Sequence, residues 1–455
     1  MHFNSNHFPI KLVAFENYMR EDDSPLYPMV IPVHLELTGN GKTSILESAF
    51  RDAMQSQPLL NARIQKQGRH WYWIETPPTT IQWVQSMPDS VNINLKQEAG
   101  VKIYALEKDG EFHVRLFFHH CIADGIGIVE FLEHWLKIYD RQAKTTPMPA
   151  PQTQTSHPAS MVTPPEPPFG SAALVQRGKF GMSLWKYCLR PIQEICGMIG
   201  VLGFFSRRPV AVGPQVYSKD FSATMDPQIC YQSDSLTVDQ THEVMTNSKK
   251  RGYTVNDYFL AAVYSGCQSW LNDHAASVSD RFLRIMIPIN MRKEAQKPLP
   301  TTNCVTMVHM DRRPKRSRSL DVTRWYVRLE MRLIKKLRSG LTFIHLIRLL
   351  GWMRKLPFML RRDRCIATTI ASNIGPLFQD CSLRNINGEL AAGDLTLKSI
   401  GIFPPVRPFT WIAFLITTYG NEMQINTTYC GKALSEKDVA FVLQRVKNQL
   451  SKEST

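Results

Sequence analysis

The sequence predicts a mixed α/β protein of two domains, on three observations. At 455 residues the chain exceeds what one hydrophobic core usually supports. A stretch from Thr146 to Gly170 holds eight of the 29 prolines, mixed with Thr, Gln and Ser. Such a stretch can neither continue a helix nor fill a central strand, so it reads as an extended connection. On both sides of it, segments of period two mix with segments of helical period. The division expected is 1–145, a connection and apolar crossover at 146–212, and 213–455.

The elements follow in chain order. Ser44-Ile45-Leu46-Glu47 has the pattern of a capping box opening a helix with Leu46, Phe50, Ala53 and Met54 on its apolar face. Gly68 to Glu75 and Glu111 to Phe118 read as strands; in the second, Phe112, Val114, Leu116 and Phe118 alternate with His113, Arg115 and Phe117. The segment after the connection, Met182 to Arg208, is apolar and carries Trp185, Tyr187, Phe204 and Phe205. Its longest uncharged part, Ile195 to Phe205, is shorter than the roughly 20 residues a membrane span needs. An interfacial helix and a crossover packed between domains both fit it. Leu283, Ile285, Ile287 and Ile289 alternate as a strand, and Tyr419-Gly420-Asn421 joins two strands as a hairpin. A last helix starts at the Ser435-Glu436-Lys437-Asp438 box and runs toward Leu450.

Composition narrows the class. With 43% hydrophobic and 20% charged residues the chain is a folded globular protein rather than a disordered one. Nine cysteines, with no CxxC pair and no zinc-like spacing, fit a reduced environment better than a disulfide framework. Met1 to Met19 lacks a positive region followed by an apolar core, so no signal peptide is read there. The expected location is cytoplasmic, with a peripheral membrane contact on the inner face.

The chemistry concentrates in His119-His120-Cys121-Ile122-Ala123-Asp124-Gly125. Neighbouring side chains at a strand end point opposite ways, so one histidine can face a cleft while the other packs behind. A neutral imidazole is suited to take a proton from an alcohol, thiol or amine attacking an acyl carbonyl. A helix follows, with Ile128, Phe131, Leu132, Trp135 and Ile138 on one face. Asp124, at its mouth, can cap the helix or pair with an arginine. Cys121 reads as a small packed residue rather than a nucleophile. Gly39-Asn40-Gly41-Lys42-Thr43 echoes a phosphate loop, but Glu36 stands where the leading glycine belongs, so it reads as a strand-to-helix turn. His34, His309 and His345 lack neighbours at ligand spacing, and no metal site is expected.

The strand, His-His-x-x-x-Asp-Gly, helix order resembles the chloramphenicol-acetyltransferase-like superfamily of CoA-dependent acyltransferases. That superfamily includes condensation domains and the lipid-modifying wax ester synthase/diacylglycerol acyltransferase branch. Tyr253-Thr254-Val255-Asn256-Asp257 looks like a helix-opening motif of that branch, although Thr254 and Asp257 also make a capping box. Ile287-Pro288-Ile289-Asn290-Met291-Arg292 and Ala371-Ser372-Asn373-Ile374-Gly375-Pro376 are similar to two further segments, the second one proline short. The resemblance runs from about Ala14 to Leu450 and is weakest in the proline-rich connection.

It implies two sandwich lobes with the active-site channel between them. His120 would be the base, and His119, Asp124, Gly125 and Arg292 structural, with Asp124 and Arg292 paired. Ser372 and Asn373 are candidates to hold the oxyanion, and Asn256 and Asp257 are motif residues with a structural alternative. The donor implied is a thioester, acyl-CoA as co-substrate, with no bound cofactor and a hydroxyl acceptor. A carrier-protein-dependent condensation enzyme and a non-catalytic membrane- or partner-binding relative are the competing readings.

The charge has its own address. Residues 312–364 hold 17 Lys and Arg against Asp321, Glu330 and Asp363, so this segment carries +14 of the net +15. Cations alternate with apolar residues at helical spacing, interrupted near Gly340 and Gly351. That pattern fits helices on an anionic membrane surface, or core helices with solvated cationic faces. Nucleic acid is not expected as a partner, because no nucleic-acid module surrounds the cluster.

Overall fold

A computed structural model describes residues 8–145, 177, 190–214, 226–274, 281–292, 300–314, 319–360 and 362–451. The proline-rich connection, Trp185, Tyr187, Lys315, Arg316, Arg318 and Arg361 lie outside the described residues. The architecture is mixed α/β, with two six-stranded sheets and a small three-stranded one.

In the first large sheet the order is Leu390–Ala392, Leu395–Ile402, Val30–Gly39, Glu111–His119, Val101–Lys108 and Gln82–Trp83. Two of these strands come from late in the chain, and Ile402 sits opposite Val33. Helices Thr43–Gln55 and Gly125–Thr145 cover one face. Phe50 meets Phe131 and Trp135 edge to face, at 6.0 and 5.3 Å between ring centroids. Phe131, Leu132, Trp135 and Phe50 are at most 1% exposed. Burying side chains of this kind stabilises by about 1.5–3 kcal/mol each.

In the second sheet the order is Val305–Arg312, Leu283–Asn290, Thr369–Pro376, Ile412–Tyr419, Glu422–Cys430 and Ile229–Leu236. Helices Val238–Lys250, Val255–His274 and Glu436–Ser451 pack on it around Tyr258, Phe259, Val442 and Val446. The hairpin turns on Gly420 and Asn421, whose φ angles are +55° and +64°. Two consecutive positive φ values match the right-handed twist of the flanking strands. Each sheet with its helices is one sandwich.

Two local expectations are corrected. The helix at Thr43–Gln55 has Lys42 as its N-cap and no side-chain cap. Glu47 instead accepts a hydrogen bond from Trp83 Nε1 at 2.6 Å, so the apparent capping box is used for tertiary contact. The strand expected from Gly68 begins at His70, with Gly68 in the turn. The basic segment is interrupted near both glycines, as expected: at Arg338, which has φ +51°, between helices Leu320–Leu337 and Ser339–Trp352, and again after Trp352. Gly340 is helical: a Cβ there would lie 2.3 Å from Thr306 Cγ2, so its role is close packing.

Candidate active site

The strand Glu111–His119 is held on both sides, by Val30–Gly39 and Val101–Lys108, and ends where the two histidines begin. The backbone N–H of His120 then donates to Met29 O at 2.6 Å. His119 turns inward and is 1% exposed. Its Nδ1 accepts from the Cys121 N–H at 3.1 Å, leaving Nε2 3.5 Å from Asp23 Oδ1. Burial pushes the Asp23 carboxyl up, but contact with the His119 ring, together with the Met29 N–H, brings it below its usual value.

His120 turns the other way, into a cavity. Its Nδ1 lies 3.1 Å from Ala123 O. A carbonyl can only accept, so Nδ1 carries the hydrogen and Nε2 keeps a free lone pair. The edge of Phe15 packs against the ring at 6.3 Å between centroids. Burial lowers the His120 pKa below 6.5, partly offset by the nearby Asp124 carboxylate. The imidazole is therefore neutral at pH 7, the state a general base needs.

Asp124 both caps the helix and pairs with an arginine. Oδ1 accepts from the Gly127 N–H at 2.9 Å, satisfying a first-turn donor of helix Gly125–Thr145. Oδ2 accepts from Arg292 Nη1 at 2.9 Å and from the Cys304 N–H at 2.7 Å. Arg292 Nη2 donates onward to Thr302 O at 3.1 Å, and Nε lies 3.4 Å from Glu130 Oε1. Gly127 leaves room for this guanidinium, since a Cβ there would stand 2.9 Å from Arg292 Nη2. Gly125 sits against Ile374, which a Cβ would approach to 2.5 Å.

The cavity measures about 140 Å³ and lies between the two sheets. Ile31 and Ile402 face it from the first sheet, with Met29 just before it; Met286, Val305, Met307, Ile370 and Leu415 face it from the second. Ser372 and Asn373 line it from strand Thr369–Pro376, where the register shifts between Asn373 and Gly375. Among the described residues, neither side chain has a hydrogen-bond partner. Both donors are open to the cavity. Asp257 lies elsewhere: its carboxylate accepts from the Thr254 N–H at 2.8 Å, and its own N–H donates to Thr254 Oγ1. It caps helix Val255–His274, and neither it nor Asn256 lines this cavity.

Sequence reasoning did not single out four residues that shape the site. Met29 anchors the His120 backbone and Phe15 packs on its ring. Asn303 Nδ2 donates to the carbonyls of His120 and Cys121, the latter at 2.9 Å. Arg407 lines the cavity and pairs with the buried Asp22 at 3.2 Å. The last carried a faint signal, a lone cation after Pro404-Pro405-Val406. Cys121, fully buried, donates its thiol to Glu16 O at 3.1 Å, and burial holds its pKa well above the usual thiol value. That thiol is no nucleophile.

No family model matches the chain, and no curated protein matches it in sequence. Solved structures do match it along nearly its whole length. Polyketide synthase associated protein 5 from Mycobacterium tuberculosis aligns at TM-score 0.60 and 14% identity, covering 98% of each chain. Trichothecene 15-O-acetyltransferase from Fusarium sporotrichioides aligns at TM-score 0.67 and 12% identity, covering 97% of this chain and 94% of that one. The starter condensation domain of rhizomide synthetase, in complex with C8-CoA and Leu-SNAC, aligns at TM-score 0.66 and 13% identity with the same coverage. The chain has the chloramphenicol-acetyltransferase-like fold. In that fold the two sandwiches face each other across the cavity that receives His120.

Proposed function

We propose that the protein is an acyltransferase that moves an acyl group from a thioester, acyl-CoA, to a hydroxyl acceptor. One observation carries the reading: a buried imidazole, neutral and with its tautomer fixed by Ala123 O, turns a free Nε2 into an apolar cavity between two lobes. His120 Nε2 takes the proton from the acceptor hydroxyl as the oxygen attacks the thioester carbonyl. The developing oxyanion needs donors, and Ser372 and Asn373 offer open ones. Collapse of the tetrahedral intermediate breaks the C–S bond, and the imidazolium returns its proton to the leaving thiolate. Asp124, Arg292 and Asn303 act as positioning residues that hold the loop and the ring's angle. The apolar lining suits a hydrocarbon-like acyl group or acceptor, as in the lipid-modifying branch. The lobes divide at 145 and 213 in this proposal, except that strands Leu390–Ala392 and Leu395–Ile402 cross back to complete the first sheet.

A second reading, a condensation-type enzyme taking its donor from a carrier protein, is favoured by the condensation domains among the structural neighbours. Mass spectrometry of products from a mixed panel of acyl-CoA donors with alcohols and amines tests both. Ester formation with free acyl-CoA supports the first. Turnover only with an acylated carrier supports the second. No product from either donor, with protein that melts cooperatively, would leave neither standing.

A further inference from the structure

Helix Arg190–Ser206 is apolar on the side that faces water. Ile192, Ile195, Ile199 and Leu202 are 60–67% exposed and recur at the spacing of one helix face. Its other side is built for contact. Gly197 seats on Thr342, where a Cβ would come within 2.3 Å of Oγ1, and Gln193 Nε2 donates to Lys336 O at 3.3 Å. The helix thus rests on Leu320–Leu337 and Ser339–Trp352, the heart of the cationic segment. Those helices and the short helix Leu356–Met359 after them expose Leu333, Leu349, Trp352 and Phe358, with Trp352 at 81%. Arg332, Lys335, Lys336, Arg348, Arg354 and Lys355 are exposed among them. An apolar face this large is unusual on a protein surrounded only by water.

Under this helix lies a second cavity of about 230 Å³. Cys196, Gly200 and Phe204 line it from the helix, and Met286 and Met307 line both it and the His120 cavity. Two flexible thioethers therefore separate the cavities, and methionine side chains repack readily. The charge at its wall is paired: Asp311 accepts from Arg284 Nε at 2.7 Å.

We propose that this face docks on an anionic lipid bilayer, and that the second cavity leads a bilayer-held acyl chain past Met286 and Met307 to His120. Charge complementarity fixes the occupant: cations interleaved with large apolar groups and an exposed tryptophan match an anionic interface, with the apolar stripe among the acyl chains. The leading of the chain to His120 rests on the acyl-transfer reading; the docking does not. No described helix is long and apolar enough to cross a membrane, consistent with lying on its surface.

Flotation of the full chain with phosphatidylcholine vesicles, with and without phosphatidylserine, tests the docking. Binding should require phosphatidylserine and weaken with salt. Arg348→Gln and Lys355→Gln should each lower the partition coefficient about fivefold. Ile195→Gln with Ile199→Gln should abolish binding, and both are exposed enough for the fold to survive. Binding equal on neutral and anionic vesicles, or indifferent to the isoleucine pair, would overturn the proposal. So would no binding, whether the face is then covered by a second copy, seen as a dimer lost with Ile195→Gln, or by the chain's own connection. Gly200→Leu, where a Cβ meets nothing within 4 Å, should depress long-chain but not short-chain turnover; an unchanged ratio removes the route. Short-chain turnover without vesicle binding would sink the docking and leave acyl transfer standing.

Discussion

Arg292 Nη1 stands 2.9 Å from Asp124 Oδ2, joining two residues 168 positions apart in the chain. Asp124 leaves the first sheet's central strand by a four-residue loop, and Arg292 follows the last strand residue, Asn290, of a strand in the second sheet. Their bond ties the lobes together beside His120.

Breaking half of a buried pair leaves the partner charged without its main counter-ion, at about 3–5 kcal/mol. Asp124→Asn and Arg292→Gln should each lower stability by that order and reduce activity with it. Asp124→Asn should be the worse, because its Oδ2 also accepts from Cys304 and an amide offers one acceptor oxygen. The double variant should lose less than the sum of the two. Strictly additive losses in thermal melts would separate the pair.

His120→Ala should lower kcat by about 10²–10⁴-fold with little change in Tm. In the native enzyme kcat/KM should rise with pH and level off, because only the deprotonated ring is a base. Burial puts the midpoint of that rise below 6.5. A midpoint above 6.5 would mean that another group limits the reaction. His119→Ala should show the opposite balance. It empties a fully buried site and strips Asp23 and the Cys121 N–H of their partner, so Tm should drop more than turnover per folded molecule.

Ser372→Ala and Asn373→Ala test the oxyanion assignment. Losing a donor that acts in the transition state should lower kcat by about 10²–10³-fold and leave KM nearly unchanged. The larger loss identifies the donor. A rise in KM alone for both would place them in substrate binding.

Much was legible in the sequence because it is local. Period-two alternation marked Glu111–His119 and Leu283–Asn290, and the Tyr419-Gly420-Asn421 turn marked its hairpin. The Thr254 and Ser435 boxes marked two helix starts. Each of these patterns can be read within a few residues of sequence. Ser44 shows the limit: its box pattern is complete, yet Glu47 is taken by Trp83, 36 positions away.

By itself, then, the sequence determined the strand-histidine-helix order, the opposite facing of His119 and His120, the capping reach of Asp124 and the address of the positive charge. Only the tertiary structure decided what those groups meet. It brought Met29 and Asn303 to the His120 backbone, opened Ser372 and Asn373 to the cavity and set Arg407 against Asp22. It also sent Leu395–Ile402 back to complete the first sheet. The physical reason is that backbone periodicity and capping act over a few residues. A cavity wall is instead chosen by which side chains from distant strands can be buried together with most of their polar groups paired.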